Sequence, residues 1–379
     1  MKEIPVLLLT GYLGSGKTTL VNKILANTRG IKFAVIVNDI GEVNIDADLI
    51  GKGGVVGLKD DSLVALQNGC ICCTLKMDLV QQLRDIAATG RFDYIVVEAS
   101  GVCEPEPIAR TICSIPAMGS EVNRYGTPRL DCIVTVVDAL RMRDEFACAK
   151  DLLRGNLGED DIESLVIQQI EFCDVILLNK ASMVSEEDLS TLRSIIRQLQ
   201  SRAEIIECDY ADVDIDRIVG TGRFDYESVS GSAGWVEGVE GEVEENEEEG
   251  EADEYGIGTF VYCSRPPLDI NKFDNFVAKH WPAGIIRVKG LCYFADDTDN
   301  CYLFEQAGTQ ISMKKAGQWY ATMPAVDLQN ALMSDPILRR DWDDVYGDRM
   351  QKLVFIGRNL DKAAIASALD ACLSDEGIQ

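Results

Sequence analysis

A chain of 379 residues, 46% hydrophobic and 26% charged, can bury one or two cores without disulfide staples. Its net charge of −27 argues against nucleic acid as a general partner, because phosphate backbones are gripped by Lys/Arg surfaces. The apolar run Ile4-Pro-Val-Leu-Leu-Leu9 is too short for a secretory leader, and no stretch approaches the ~18 apolar residues of a membrane helix. The expected compartment is therefore the cytoplasm.

Short apolar strands alternate with helical patterns from the first residues. Strands are predicted at 5–10, 33–38, 94–98, 131–138 and 174–179, and Leu79, Leu83, Ile86 and Ala87 recur as one helix face. Such alternation predicts an α/β domain with a mostly parallel sheet covered on both faces, over residues 1–225. Residues 236–254 are Gly and Glu with almost nothing to bury, so 226–255 is expected to be an acidic flexible linker. The pattern restarts with a strand at 258–262. A helix at 270–280, strands near 285–295, 301–305 and 352–356, and a closing helix at 361–373 predict a smaller α+β domain over 256–379.

The first strand runs into Gly11-Tyr-Leu-Gly14-Ser15-Gly16-Lys17-Thr18, a complete phosphate-binding loop followed by a helical pattern. Gly14 and Gly16 let backbone N–H groups converge on phosphate oxygens, and the helix N-terminus adds its dipole. Lys17 reaches the β- and γ-phosphates and Thr18 offers a hydroxyl to Mg²⁺. The nucleotide-binding set is then Gly11, Gly14, Ser15, Gly16, Lys17, Thr18 and Thr19. Glu98 closes a buried strand, where a carboxylate is costly unless paired or placed at a site. It is the expected acidic partner of the Mg²⁺ shell, with Gly101 turning its N–H toward the γ-phosphate. Lys17, Thr18, Glu98 and Gly101 are the candidate catalytic residues. The strand ending at Asn179-Lys180 carries the pair typical of guanine-binding GTPases. The usual motif continues with one residue and then Asp; here that place is Ser182, a hydroxyl without the charge that makes bidentate recognition strong. GTP is the expected nucleotide, with ATP left open.

Gly69-Cys70-Ile-Cys72-Cys73-Thr74 is the second constellation. Three thiols in four residues before a helix start favour thiolates, and soft sulfur suits Zn²⁺. Three ligands leave a tetrahedron one short, to be filled by Glu42, water or a client side chain. A redox pair, buried packing or an iron–sulfur cluster are competing readings. The other cysteines, such as Cys103, Cys113 and Cys132, read as packing residues. His280 is the single histidine, so no histidine-based protease triad can form and hydrolysis must rely on carboxylates, backbone and Mg²⁺.

Taken together, residues 11–18, Asn38-Asp39-Ile-Gly41-Glu42, Cys70-Ile-Cys72-Cys73, Glu98-Ala-Ser-Gly101 and Asn179-Lys180 resemble CobW-type metallochaperone GTPases. The resemblance continues through Lys289-Gly290, Gln318-Trp319, Gly347-Asp348-Arg349-Met-Gln351 and Val354-Phe-Ile-Gly357. It implies a GTPase of the class of urease and hydrogenase maturation factors. Such a protein would pass a divalent metal, zinc or alternatively Co²⁺, from the cysteine cluster to a client metalloprotein or cofactor pathway. Asp39 and Glu42 would lie in a mobile segment between loop and cluster and join Cys70, Cys72 and Cys73 as metal ligands. Three departures stand out: Asp39 where relatives carry Glu, Ser182, and an acidic linker where relatives carry histidines. The alternatives are a P-loop small-molecule kinase and a nucleotide-inactive zinc-binding adaptor.

Overall fold

The computed structural model describes residues 2–37, 63–65, 76–120, 122–146, 160–231, 257–308, 310–334 and 336–374. The chain divides into two units, Met1–Cys148 with Leu165–Ala233, and Ala149–Ser164 with Gly234–Gln379.

Unit one is built on seven strands: β1 (Glu3–Thr10), β2 (Phe33–Val37), β3 (Leu63–Ala65), β4 (Tyr94–Glu98), β5 (Thr127–Asp138), β6 (Val175–Asn179) and β7 (Glu204–Cys208). They pair in the order β3-β2-β4-β1-β5-β6-β7, every pair parallel. β1 therefore lies between β4 and β5, and the order reverses beside it, the place where open α/β sheets present their ligands. Five of these strands follow the sequence reading. β3 has too few residues to show a period, and Glu-Ile-Ile-Glu-Cys of β7 is too polar to stand out. One face buries Leu7, Leu9, Val35, Val96, Val134 and Leu177 beneath Leu20, Val21 and Ile24 of the helix Lys17–Leu25. Each such side chain contributes roughly 1.5–3 kcal/mol, which fixes the helix behind the loop it follows.

Near the amino end of β5, Asp131 accepts hydrogen bonds from the Tyr94 hydroxyl and the backbone N–H groups of Thr221 and Gly222. This pins the chain leaving β7. Tyr226–Gly231 is then helical, with Tyr226 set edge-on to Phe172 and bonded to Glu106. The first residues of the segment expected to be linker thus belong to unit one, because an aromatic ring there has something to pack against. Residues 232–256 lie outside the described residues.

Unit two carries β8 (Ile257–Ser264), β9 (Ile285–Phe294), β10 (Asp297–Ala307), β11 (Gln310–Gln318) and β12 (Gln351–Arg358). They form an antiparallel sheet in the order β11-β10-β9-β12-β8. Helices Ile270–Lys279 and Lys362–Asp370 start at Asp269 and Asp361, whose side chains accept from their first-turn N–H groups. Phe273 and Phe276 of the first and Leu369 of the second share one core with Phe304 and Phe355 of the sheet. The sequence reading passed over β11, an exposed edge strand whose Lys314 and Lys315 break any apolar alternation. Gly290 lets β9 pass close to β12, since a Cβ there would lie 2.0 Å from the Lys352 carbonyl oxygen.

Candidate nucleotide site

Because the sheet of unit one is parallel, the carboxyl ends of β1, β4, β5 and β6 share one edge. After Thr10 the backbone takes positive φ at Gly11 (136°), Gly14 (80°) and Gly16 (113°). Side chains would block the turn at two of these: a Cβ on Gly11 would come within 2.3 Å of the Val136 oxygen, and one on Gly16 within 2.5 Å of Asn179 Nδ2. Gly14 has open space instead. The helix that follows has no side-chain cap at Gly16. Lys17 is 7% exposed and donates to the carbonyls of Gly11 (2.7 Å) and Tyr12 (3.2 Å). The Ser15 hydroxyl is buried with no hydrogen-bond partner among the described residues. Thr19 is exposed on the first helical turn.

β4 delivers Glu98, 2% exposed, to within 3.4 Å of the Thr18 hydroxyl. Gly101 passes tightly under the loop, since a Cβ would sit 2.7 Å from the Leu13 nitrogen. A buried polar relay holds this segment. Thr10 bonds Thr135 at 2.8 Å, Thr135 donates to the Gln169 carbonyl at 2.8 Å, and the Gln169 amide donates to the Cys103 carbonyl at 3.2 Å. From β6, Asn179 donates to the Ser15 carbonyl (2.7 Å) and accepts from Ala211 N–H (2.9 Å), tying the phosphate loop to the turn after β7. Lys180 has φ 60° and pairs with Asp138 at the end of β5.

This arrangement coincides with a family match. The model for the CobW/HypB/UreG nucleotide-binding domain matches residues 5–207, and that for the cobalamin synthesis protein cobW C-terminal domain matches 257–373. The chain belongs to the CobW/HypB/UreG family. It is 35% identical over 98% of its length, and 80% of the relative's, to the zinc-regulated GTPase metalloprotein activator 1 of Dictyostelium discoideum. It is 29% identical to the zinc chaperone CobW of a Sinorhizobium species, over 78% of this chain and 82% of that one. Among solved structures, a Zn(II)-bound YjiA GTPase from E. coli aligns over 99% of this chain and 100% of that chain, at 21% identity and a TM-score of 0.43.

For this CobW-family chain the structure thus brings Gly11, Gly14, Ser15, Gly16, Lys17, Thr18, Glu98, Gly101, Asn179 and Lys180 to one sheet edge. Asp39, Glu42, Cys70, Cys72 and Cys73 lie outside the described residues. No group of three His, Cys, Asp or Glu that could hold a metal occurs among the described residues. Cys132, Cys173, Cys208 and Cys292 are buried thiols. Burial pushes Cys208 up to about 11 and Cys173 higher still, so neither offers a thiolate. Cys103, expected to be a packing residue, is 1% exposed and lies two residues beyond Gly101. Sequence reasoning also passed over Asp138, although Val-Val-Asp138 ends β5 as Val-Val-Glu98 ends β4. Gln169 lies in the last turn of the helix Asp160–Glu171 and carries no local signal. No helix among the described residues is long and apolar enough to cross a membrane.

Proposed function

We propose that this CobW-family chain is a GTP-hydrolysing metal chaperone. It would hold a divalent metal, zinc, at Cys70, Cys72 and Cys73 and deliver it to a client metalloprotein or cofactor pathway in the cytoplasm. The observation that carries the nucleotide half is the loop itself: an uncapped helix start behind three positive-φ glycines, with Lys17 inside the turn and Thr18 facing Glu98. Backbone N–H groups of 14–18 would cradle the phosphates, Lys17 would neutralise their charge, and Asn179 and Lys180 would flank the base. The Thr18 hydroxyl and Glu98 carboxylate, 3.4 Å apart, are the hard oxygen donors that suit Mg²⁺ and its water shell. Bound there, Mg²⁺ would supply positive charge beside the β- and γ-phosphates.

The metal half rests on the thiol cluster and on what the relatives are named for, zinc regulation and zinc chaperoning. Asp39 and Glu42 are the oxygen ligands proposed to join it, and Co²⁺ would take the same ligands. The two sites share one stretch of backbone between the phosphate loop and Glu98, so nucleotide state and metal affinity are coupled. Residues 1–231 are the GTPase domain in this reading, with the helix Tyr226–Gly231 included, 232–255 the tether and 256–379 the C-terminal domain. Zinc affinity of the full chain is expected to change at least ~5-fold on adding a non-hydrolysable GTP analogue with Mg²⁺, the low end of typical coupling. Equal affinities with and without the analogue would overturn the coupling. A phosphorylated small molecule in place of free phosphate would instead favour a kinase, and full activity in a Lys17→Ala variant a zinc adaptor.

A further inference from the structure

Ser182 stands where the guanine motif calls for a carboxylate, yet the structure supplies a carboxylate beside it. β6 and β7 run parallel with Asn179 opposite Cys208, so Lys180 and Asp209 leave the sheet side by side. Asp209 Oδ1 accepts from the Ser182 hydroxyl at 2.9 Å and from the Ser182 backbone N–H at 3.1 Å. The two residues are separated by 27 positions, so only the sheet brings them together. The turn that carries Asp209 is held in place on its other side, where Ala211 N–H donates to Asn179 Oδ1. Tyr210 and Ala211 both take the left-handed region, at φ 53° and 51°. Two consecutive non-glycine residues there are strained and persist only where the surroundings over-determine them. Asp209 Oδ2 makes no hydrogen bond among the described residues, and the neighbouring Tyr210 is 81% exposed.

We propose that Asp209 is the base-reading residue of this nucleotide site, replacing the absent carboxylate at position 182, and that Ser182 is its positioning residue. The proposal rests on the GTP reading above and names the specificity element of that site. Guanine presents N1–H and the C2 amino group side by side, two donors that one carboxylate accepts together. Adenine presents a bare N1 acceptor at that edge, whose lone pair a carboxylate repels, so the arrangement selects guanine over adenine. A purely structural Asp209 would need only one oxygen to accept from Ser182, and asparagine would serve it as well. That difference makes the two roles separable.

The test uses the full chain with Mg²⁺ and fluorescent triphosphates of guanosine, inosine, xanthosine and adenosine. Inosine lacks the C2 amino group, so the unmodified protein is expected to bind it ~10-fold more weakly than GTP. Asp209→Asn keeps the acceptor for Ser182 but turns the second oxygen into an amide donor. It is expected to lose GTP affinity by ~10- to 100-fold and to prefer xanthosine triphosphate, whose C2 carbonyl accepts that donor. The exchange variant Ser182→Asp with Asp209→Ser is expected to recover GTP preference. Unmodified protein that binds GTP and ITP alike, or an Asp209→Asn variant that still prefers GTP over XTP, overturns the assignment while leaving the GTPase reading intact. Unmodified protein that binds none of the four would overturn the nucleotide reading itself.

Discussion

Two regions of this molecule concentrate buried polar side chains, and they are finished differently. In unit two, Asp348 takes the N–H groups of Tyr320 and Ala321 on separate oxygens, each at 2.8 Å. Gln351 accepts from Tyr293 N–H and donates to the carbonyls of Pro266 and Tyr293, while Arg265 donates to those of Asp341, Gly347 and Arg349. Side chain closes on backbone throughout, and the joint holds the 341–351 segment against the sheet. At the carboxyl ends of unit one, by contrast, a buried Ser15 hydroxyl has no partner among the described residues and the helix at Lys17 has no side-chain cap. Native proteins leave few buried polar atoms unsatisfied, and those they leave call for an explanation. Saturation marks the 341–351 segment as a structural joint; the buried Ser15 hydroxyl, set in the phosphate loop, is an atom left for a ligand. The residues of the sequence motif 347–351 therefore act as mortar, although they too lie within a segment that matches the family.

Mutations in each region sharpen this contrast. Lys17→Ala is expected to cut GTP turnover by ~10²–10³-fold, the scale of losing one preorganised charge partner, while the thermal midpoint barely moves. Steady-state phosphate release with a parallel melt checks both halves, and a large loss of stability would break the distinction. Asp348→Ala should do the reverse. Leaving two N–H groups without their acceptor is expected to cost about 3 kcal/mol, read in denaturant titrations of the full chain, with GTP turnover per folded molecule unchanged. Reduced turnover there would mean that the joint is coupled to the site.

Asp174, at the amino end of β6, tests a third case: a carboxylate that is neither saturated nor at the ligand edge. Burial raises it from 3.8 to about 6, although Ile133 N–H at 2.7 Å and the nearby Arg223 pull the other way. A raised acid binds its proton more tightly in the folded state, so stability falls as pH rises from ~4 to ~6 and stays reduced above. Asp174→Asn keeps an acceptor for Ile133. It is expected to be about 3 kcal/mol more stable than the parent at pH 7.5, the difference disappearing below pH 4. A parallel offset at all pH values would place the effect elsewhere.

Much of the site could be read directly along the chain, for a local reason. A glycine turn between strand and helix, a carboxylate ending a β-branched run and Asn-Lys after another are each contained in fewer than ten residues, and in a parallel sheet such strand ends share an edge. The same logic located the strands and helices that cover the core, and failed where period was lost, in the three residues of β3, the polar β7 and the lysine-bearing edge strand β11.

What local spacing could not supply is adjacency between distant residues. Asp138 against Lys180, Gln169 under Cys103, and Asp209 against Ser182 each depend on which strands or helices end up as neighbours. The chemistry of this protein was written in short motifs because backbone geometry is local. Its carboxylate beside Ser182 and its division of polar clusters into joint and site emerged only on folding, because hydrogen bonding across neighbouring strands pairs residues that no window along the chain contains.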